Sequence, residues 1–242
     1  MEHKTPIIMI DPNSARAFSV FNPNDWIGDS KLIIQSCAIN YGLVIYTTAK
    51  IKNIFTRADD VCVSRFNDLQ AQWKMSRWPL SSCAYLVDIP EAHLSMHSFY
   101  SSVKTLLDVL VQLISTEKIV HTHIHGFHKK GVDVGGQLLD ILTNNASKPK
   151  KELAAKLHDL ISQHKNHWID HAVNNRDFFI HPEKGLNKVT FALTLREVNN
   201  ELKLETILKP SIDGDIFDIY SEKILKRIEE FSRAYVDLLK YR

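Results

Sequence analysis

Lys151 to Pro182 reads KELAAKLHDLISQHKNHWIDHAVNNRDFFIHP, and how this run folds decides how the chain as a whole is read. Apolar residues recur at helical spacing: Leu153, Leu157, Leu160 and Ile161, Trp168 and Ile169, Ala172 and Val173, then Phe179 and Ile180. At 3.6 residues per turn, Ala172 and Ile180 lie about 40° to either side of Arg176, so the arginine projects from the middle of the apolar stripe. A buried cation without a partner is penalised by several kcal/mol. Arg176 is therefore expected to be paired, or to face a crevice or subunit interface where an anion arrives. His181 follows about 140° round and roughly 7.5 Å further along a regular helix. Pro182 disfavours the α conformation at His181 and Gly185 follows as a breaker, so the imidazole can turn back toward the guanidinium.

Arginine, a polar residue, three further residues and histidine, Arg176-Asp177-Phe178-Phe179-Ile180-His181, resemble the Arg-x4-6-His motif of the HEPN superfamily. The resemblance covers this motif and the helical pattern around it, roughly residues 95 to 240. It implies a compact helical bundle and a metal-independent endoribonuclease acting as a dimer. Arg176 and His181 are then the reacting pair and Asp177 the polar residue that orients them. The residue types suit the chemistry. Histidine titrates in the range useful for moving the 2′-hydroxyl or leaving-group proton, and a forked guanidinium meets charge growing on phosphoryl oxygens. A 2′,3′-cyclic phosphate and a 5′-hydroxyl are the products the resemblance implies. The alternative for the same residues is structural: Arg176 and Asp177 in ion pairs between helices, and His181-Pro182 as a stop signal.

The totals describe an ordinary globular chain, with 242 residues, 44% hydrophobic and 24% charged. A formal net charge of +2 supplies no global attraction for nucleic acid, so any RNA contact must come from a local patch. Eight glycines and eight prolines are few, as helices require. Cys37, Cys62 and Cys83 are odd in number and widely spaced, which fits free thiols in a reducing cytoplasm. No secretory signal is expected from Met1 to Ile10, and no run approaches 18 uninterrupted apolar residues, so the expected location is cytoplasmic, away from membrane.

Residues 1 to 28 hold the turn formers Asp11-Pro12-Asn13 and Asn22-Pro23-Asn24 around short pieces that fit strands or irregular cover. A helix opens at Asp29 or Ser30 and its pattern continues to about Trp73, as one helix or as two meeting near Ala58. Gly42 within it suggests close helix packing. Residues 73 to 94 read as a connection in which Trp73 and Trp78 cover a core edge, or with Lys74 and Arg77 serve base stacking and phosphate contact. A helix with a broad apolar face follows from about Leu94 to Glu117, central to a bundle. In the next segment His121, His123 and His125 would share one face of a strand and could bind a transition metal; as a loop, His125, His128, Lys129 and Lys130 instead make a mildly basic surface for RNA phosphates. Gln137 to Leu142 gives a small helix, and Ser147 is expected to cap the long motif helix. His164, His167 and His171 within it fit either a metal face or a solvated one. Lys188 to Leu195 and Leu202 to Leu208 alternate as the strands of a β-hairpin turning at Val198-Asn199-Asn200-Glu201. A last amphipathic helix spans Ile216 to Tyr241.

The expectation is thus a mainly α chain: a single HEPN-like domain over residues 1–242, an irregular helical bundle with an N-terminal extension 1–28 and a small inserted β-hairpin at 186–209. Minimal HEPN bundles lack such a hairpin. Catalysis is assigned to Arg176, His181 and Asp177, with no metal and no cofactor. The expected partners are RNA, a second copy of the chain and an antitoxin protein, in a toxin or defence setting. Two other functions stay open, a non-catalytic helical module binding a protein or nucleotide, and a metal-dependent enzyme centred on the histidine loop.

Overall fold

The computed structural model describes residues 12–76, 82–128, 130–131, 133–180 and 190–240. The chain is mainly helical with a small antiparallel sheet. Its helices are α1 (Pro12–Val20), α2 (Gly28–Ser76), α3 (Pro90–Thr116), α4 (Gly136–Asn144), α5 (Lys151–His164), α6 (Asp170–Ile180) and α7 (Phe217–Lys240). The strands are β1 (Ser82–Val87), β2 (Phe191–Val198) and β3 (Glu201–Leu208), with a two-residue pair β4 (Ser211–Ile212) and β5 (Asp215–Ile216) before α7. Contacts group the chain into two compact units, one of residues 1–46, 101–173 and 226–242, the other of 47–100 and 174–225.

In the first unit the core forms around α3, whose Leu106, Leu107, Leu110, Val111, Leu113 and Ile114 are all buried. The apolar face is broad, as a central bundle helix requires, and only a narrow stripe through Glu91, Leu94, Ser98 and Thr105 is exposed. Phe21 meets Tyr41 edge to face, and Trp168, Phe231 and Tyr235 form a second aromatic group. Gly42 of α2 faces Ala17 of α1, but a Cβ there would stand 4.0 Å from the Ala17 Cβ, an ordinary contact, so the packing does not require a glycine. The N-terminal piece expected as strand or cover is instead α1, because Pro12 occupies the first helical position, where a missing N–H is harmless.

In the second unit, β1, β2 and β3 form one antiparallel sheet with β2 central. The hairpin stands where the alternation places it. Asn199 and Asn200 both take positive φ, 53° and 59°, the conformation a two-residue hairpin turn of the type I′ kind demands. β1 was not expected. It pairs with β2 in the register Cys83↔Leu195, Tyr85↔Leu193 and Val87↔Phe191, inside the segment read as a connection. Six residues with no hairpin partner in sequence give a weak strand signal, and only the edge offered by β2 makes them one. Phe55, Phe99, Tyr100, Phe191 and Phe217 close an aromatic core beside the sheet.

α2 is one helix of 49 residues with no break at Ala58, which is buried. It contains an 18-residue window of mean hydropathy 1.3, long and apolar enough to cross a membrane by length and composition, and 44% of that window is buried. Counting uninterrupted apolar residues overlooks this window, because Gln35, Ser36 and Asn40 interrupt the run without adding charge.

Candidate functional site

The motif helix differs from a regular α-helix at its middle. Between α5 and α6 the backbone makes a π turn over Lys165–Ile169, and the Asp170 N–H donates to the Lys165 carbonyl five residues back. Such turns insert a residue into the stripe and recur at functional sites. The expected cap is also different: Ser147 precedes a 3-10 turn, Lys148–Lys150, and its hydroxyl donates to the Lys118 carbonyl at 3.0 Å rather than to the helix. Beyond the π turn Trp168, Ile169, Ala172 and Val173 are buried, and Arg176 continues that face as the sequence spacing requires.

Arg176 is half-buried, and its Nε is shielded from water without a hydrogen-bond partner. The next residue upstream, Asn175, is also half-buried with its amide nitrogen unsatisfied. Asn175 stands near the hydroxyl of Tyr100, close enough to influence its titration without reaching hydrogen-bond geometry. Burial, and after it the neighbouring Tyr220, push the Tyr100 phenol far above its ordinary range, so it stays neutral. The two tyrosine rings lie 6.3 Å apart. A half-buried guanidinium on the apolar face of this helix is suited to an anion, since no described carboxylate pairs with it. The side chain of Asp177 and all of His181 lie outside the described residues, as do Lys129, Arg77 and Trp78.

The contrast with Lys165 gives this weight. Lys165 follows Ile161 by four and precedes Trp168 by three, so it too occupies the apolar face, and sequence spacing alone could have singled it out. It is buried, yet Asp133 at 2.7 Å and Asp170 at 3.0 Å neutralise it within the chain. Burial works to lower its pKa, and hydrogen bonds to Asp133 and Asp170 outweigh that and leave it raised. One stripe thus carries two cations, and only the first has described internal counter-charges.

The histidine loop is not a strand. Residues 121 to 128 are bends and coil, with Ile124 and Phe127 buried and His121, His123, His125 and His128 exposed. The Phe127 N–H donates to the Asp108 carboxylate at 2.7 Å, and Gly135, at φ +69°, lies where a Cβ would strike the Phe127 ring. Anchored in this way, the loop turns its imidazoles outward, with the His123 and His125 rings 4.5 Å apart. Lys130 is exposed and paired with Asp140. Among the described residues no three His, Cys, Asp or Glu side chains converge to hold a metal. His164, His167 and His171 do not act together either. His164 accepts from the Trp168 indole at 3.0 Å and packs on Phe231, and burial lowers its pKa, while His167 and His171 are exposed. Trp73 is buried and belongs to the core. The loop belongs to the first unit and Arg176 to the second.

A further polar cluster in the first unit left no sequence signal. Glu229 of α7 receives hydrogen bonds from Tyr41 at 2.9 Å, from Arg16 at 2.5 and 3.0 Å, and from Arg233 at 2.9 Å. Burial alone would raise its pKa, but bonds from Arg16, Arg233 and Tyr41 outweigh that and lower it to about 2. The cluster ties α1 and α2 to α7 and has the character of a structural tether.

Comparison with protein-family models, curated proteins and solved structures finds no match to this chain.

Proposed function

We propose that the chain is a HEPN-like, metal-independent endoribonuclease of toxin or defence type that works in the cytoplasm. Its substrate is single-stranded RNA, and a second copy of the chain and an antitoxin protein belong to the same reading. The observation that supports it is Arg176, a half-buried cation whose Nε is dry and unpaired in a helix that elsewhere neutralises its buried lysine. In this proposal His181 takes the proton of a ribose 2′-hydroxyl, and the freed oxygen attacks the adjacent phosphorus. The bond from phosphorus to the 5′-oxygen breaks, that oxygen leaves with a proton taken from water, and the His181 imidazolium returns its own proton to solvent. Arg176 meets the negative charge on the non-bridging oxygens as it grows, and Asp177 orients the pair. His125, His128, Lys129 and Lys130 contribute weak phosphate contacts.

The test is cleavage of single-stranded RNA by the purified chain in EDTA. The proposal expects products ending in a 2′,3′-cyclic phosphate and a 5′-hydroxyl, and loss of cutting in both Arg176→Ala and His181→Ala with unchanged circular dichroism. Absence of cutting over a wide range of protein concentration sinks it and favours a non-catalytic helical module.

A further inference from the structure

From Leu32 to Ala49, α2 carries no charged residue, and one side of it stays in water. Leu32, Ile39, Leu43 and Tyr46 are 62%, 63%, 46% and 56% exposed. A soluble helix ordinarily turns charge outward and keeps such side chains in. Here the inward face is already filled, with Ile34, Tyr41 and Val44 fully buried, so the outward residues are a second apolar face rather than a displaced first one.

The spacing of that face is regular. Leu32, Ser36, Ile39, Leu43, Tyr46 and Lys50 follow one another by four, three, four, three and four residues, the alternation of a two-helix seam. The seam is also complementary to itself when one copy is reversed. With the twofold axis at the level of Tyr41, Ile39 of one copy meets Leu43 of the other, twice. The bulky Tyr46 meets the small Ser36, and Leu32 meets the aliphatic stem of Lys50. Isologous contacts need this property, because the same patch must serve both sides. Apart from Lys50 at its end, which pairs with Glu91, the seam is uncharged and offers little to a nucleic acid or an acidic peptide.

We propose that this face of α2 is where two copies of the chain pair, helix against helix in antiparallel register. The four exposed apolar side chains leave roughly 400 Å² per copy, so pairing removes on the order of 800 Å² before flanking residues are added, below the ~1,200 Å² of standard interfaces and in the range of weak, reversible association. The pairing rests on exposure and spacing alone and does not depend on the ribonuclease reading.

Sedimentation velocity of the full chain at micromolar concentration tests it. The wild type is expected to be a dimer. Ile39→Glu and Leu43→Arg should each weaken association at least tenfold and leave helicity unchanged, both positions being exposed. Mixing the two variants should restore a heterodimer, because the carboxylate introduced at position 39 then lies opposite the guanidinium introduced at 43, while the other central layer keeps its native pair. A monomeric wild type, a dimer indifferent to both substitutions, or a mixture that stays monomeric overturns the proposal. So does a wild type that is monomeric in solution but sediments with anionic or neutral phospholipid vesicles through this face. Cleavage assays on the same samples report separately, since Arg176→Ala should leave the dimer intact.

Discussion

Replacing Arg176 with methionine should make the fold slightly more stable while removing the proposed ribonuclease activity. Methionine keeps most of the volume and the helix propensity of arginine and deletes the charge. In the native chain the Arg176 Nε is buried with no acceptor. Leaving such a donor dry is unfavourable by about 1–3 kcal/mol, and the lower end applies to a side chain only half removed from water. Deleting it should therefore raise the unfolding free energy by about 1 kcal/mol, or the melting temperature by roughly 2–4 °C in a chain of this size. The same change takes away the cation proposed to face the phosphoryl oxygens, and cleavage should fall by about 10²-fold or more. Urea denaturation and an RNA cleavage assay on one preparation measure both. An Arg176→Met variant that loses more than about 1 kcal/mol refutes the reasoning, because a loss of that size means the guanidinium was satisfied inside the fold. Rising stability with falling activity is the pattern of a group held for a ligand rather than for the core.

Lys165→Met should act in the opposite direction. It strands Asp133 and Asp170, 2.7 and 3.0 Å from the lost ammonium, and destabilisation of about 3 kcal/mol is expected in urea. Adding Asp170→Asn should recover part of that loss; a neutral single variant would show the pair to be solvated. The Glu229 tether should appear in the acid limb of stability. Its folded pKa, about 2, is depressed, so its contribution is complete above an unfolded value near 4.5 and disappears as pH falls through the folded one. After allowance for screening at the partly exposed Arg16 and Arg233, wild type should lose about 2 kcal/mol relative to Glu229→Gln across that window. A difference between the two that is constant with pH would contradict the assignment.

Much of the helical frame was legible because it is written in periods. The broad apolar face of α3 and the continuous stripe of the motif run are statements about residues three and four apart, and these neighbours meet wherever the helix sits. The turn at Asn199-Asn200 is equally local, since asparagine tolerates positive φ and the flanking residues alternate. The position of Arg176 on the apolar face belongs with these: it follows from Ala172 and Val173 by spacing, and the half-burial of the side chain agrees.

Tertiary structure decided whatever depends on partners far apart in sequence. Ser82–Val87 is a strand only because β2, more than a hundred residues later, presents an edge to it. Asp133 cannot be matched with Lys165, nor Glu229 with Arg16 and Tyr41, from spacing, because each pair is made by chain reversals that no local pattern records. Which face of α2 stays in water is of the same kind. The sequence shows two apolar faces on that helix, and only the packing of the other elements determines which of them is covered, since burial is a property of neighbours rather than of the residue itself.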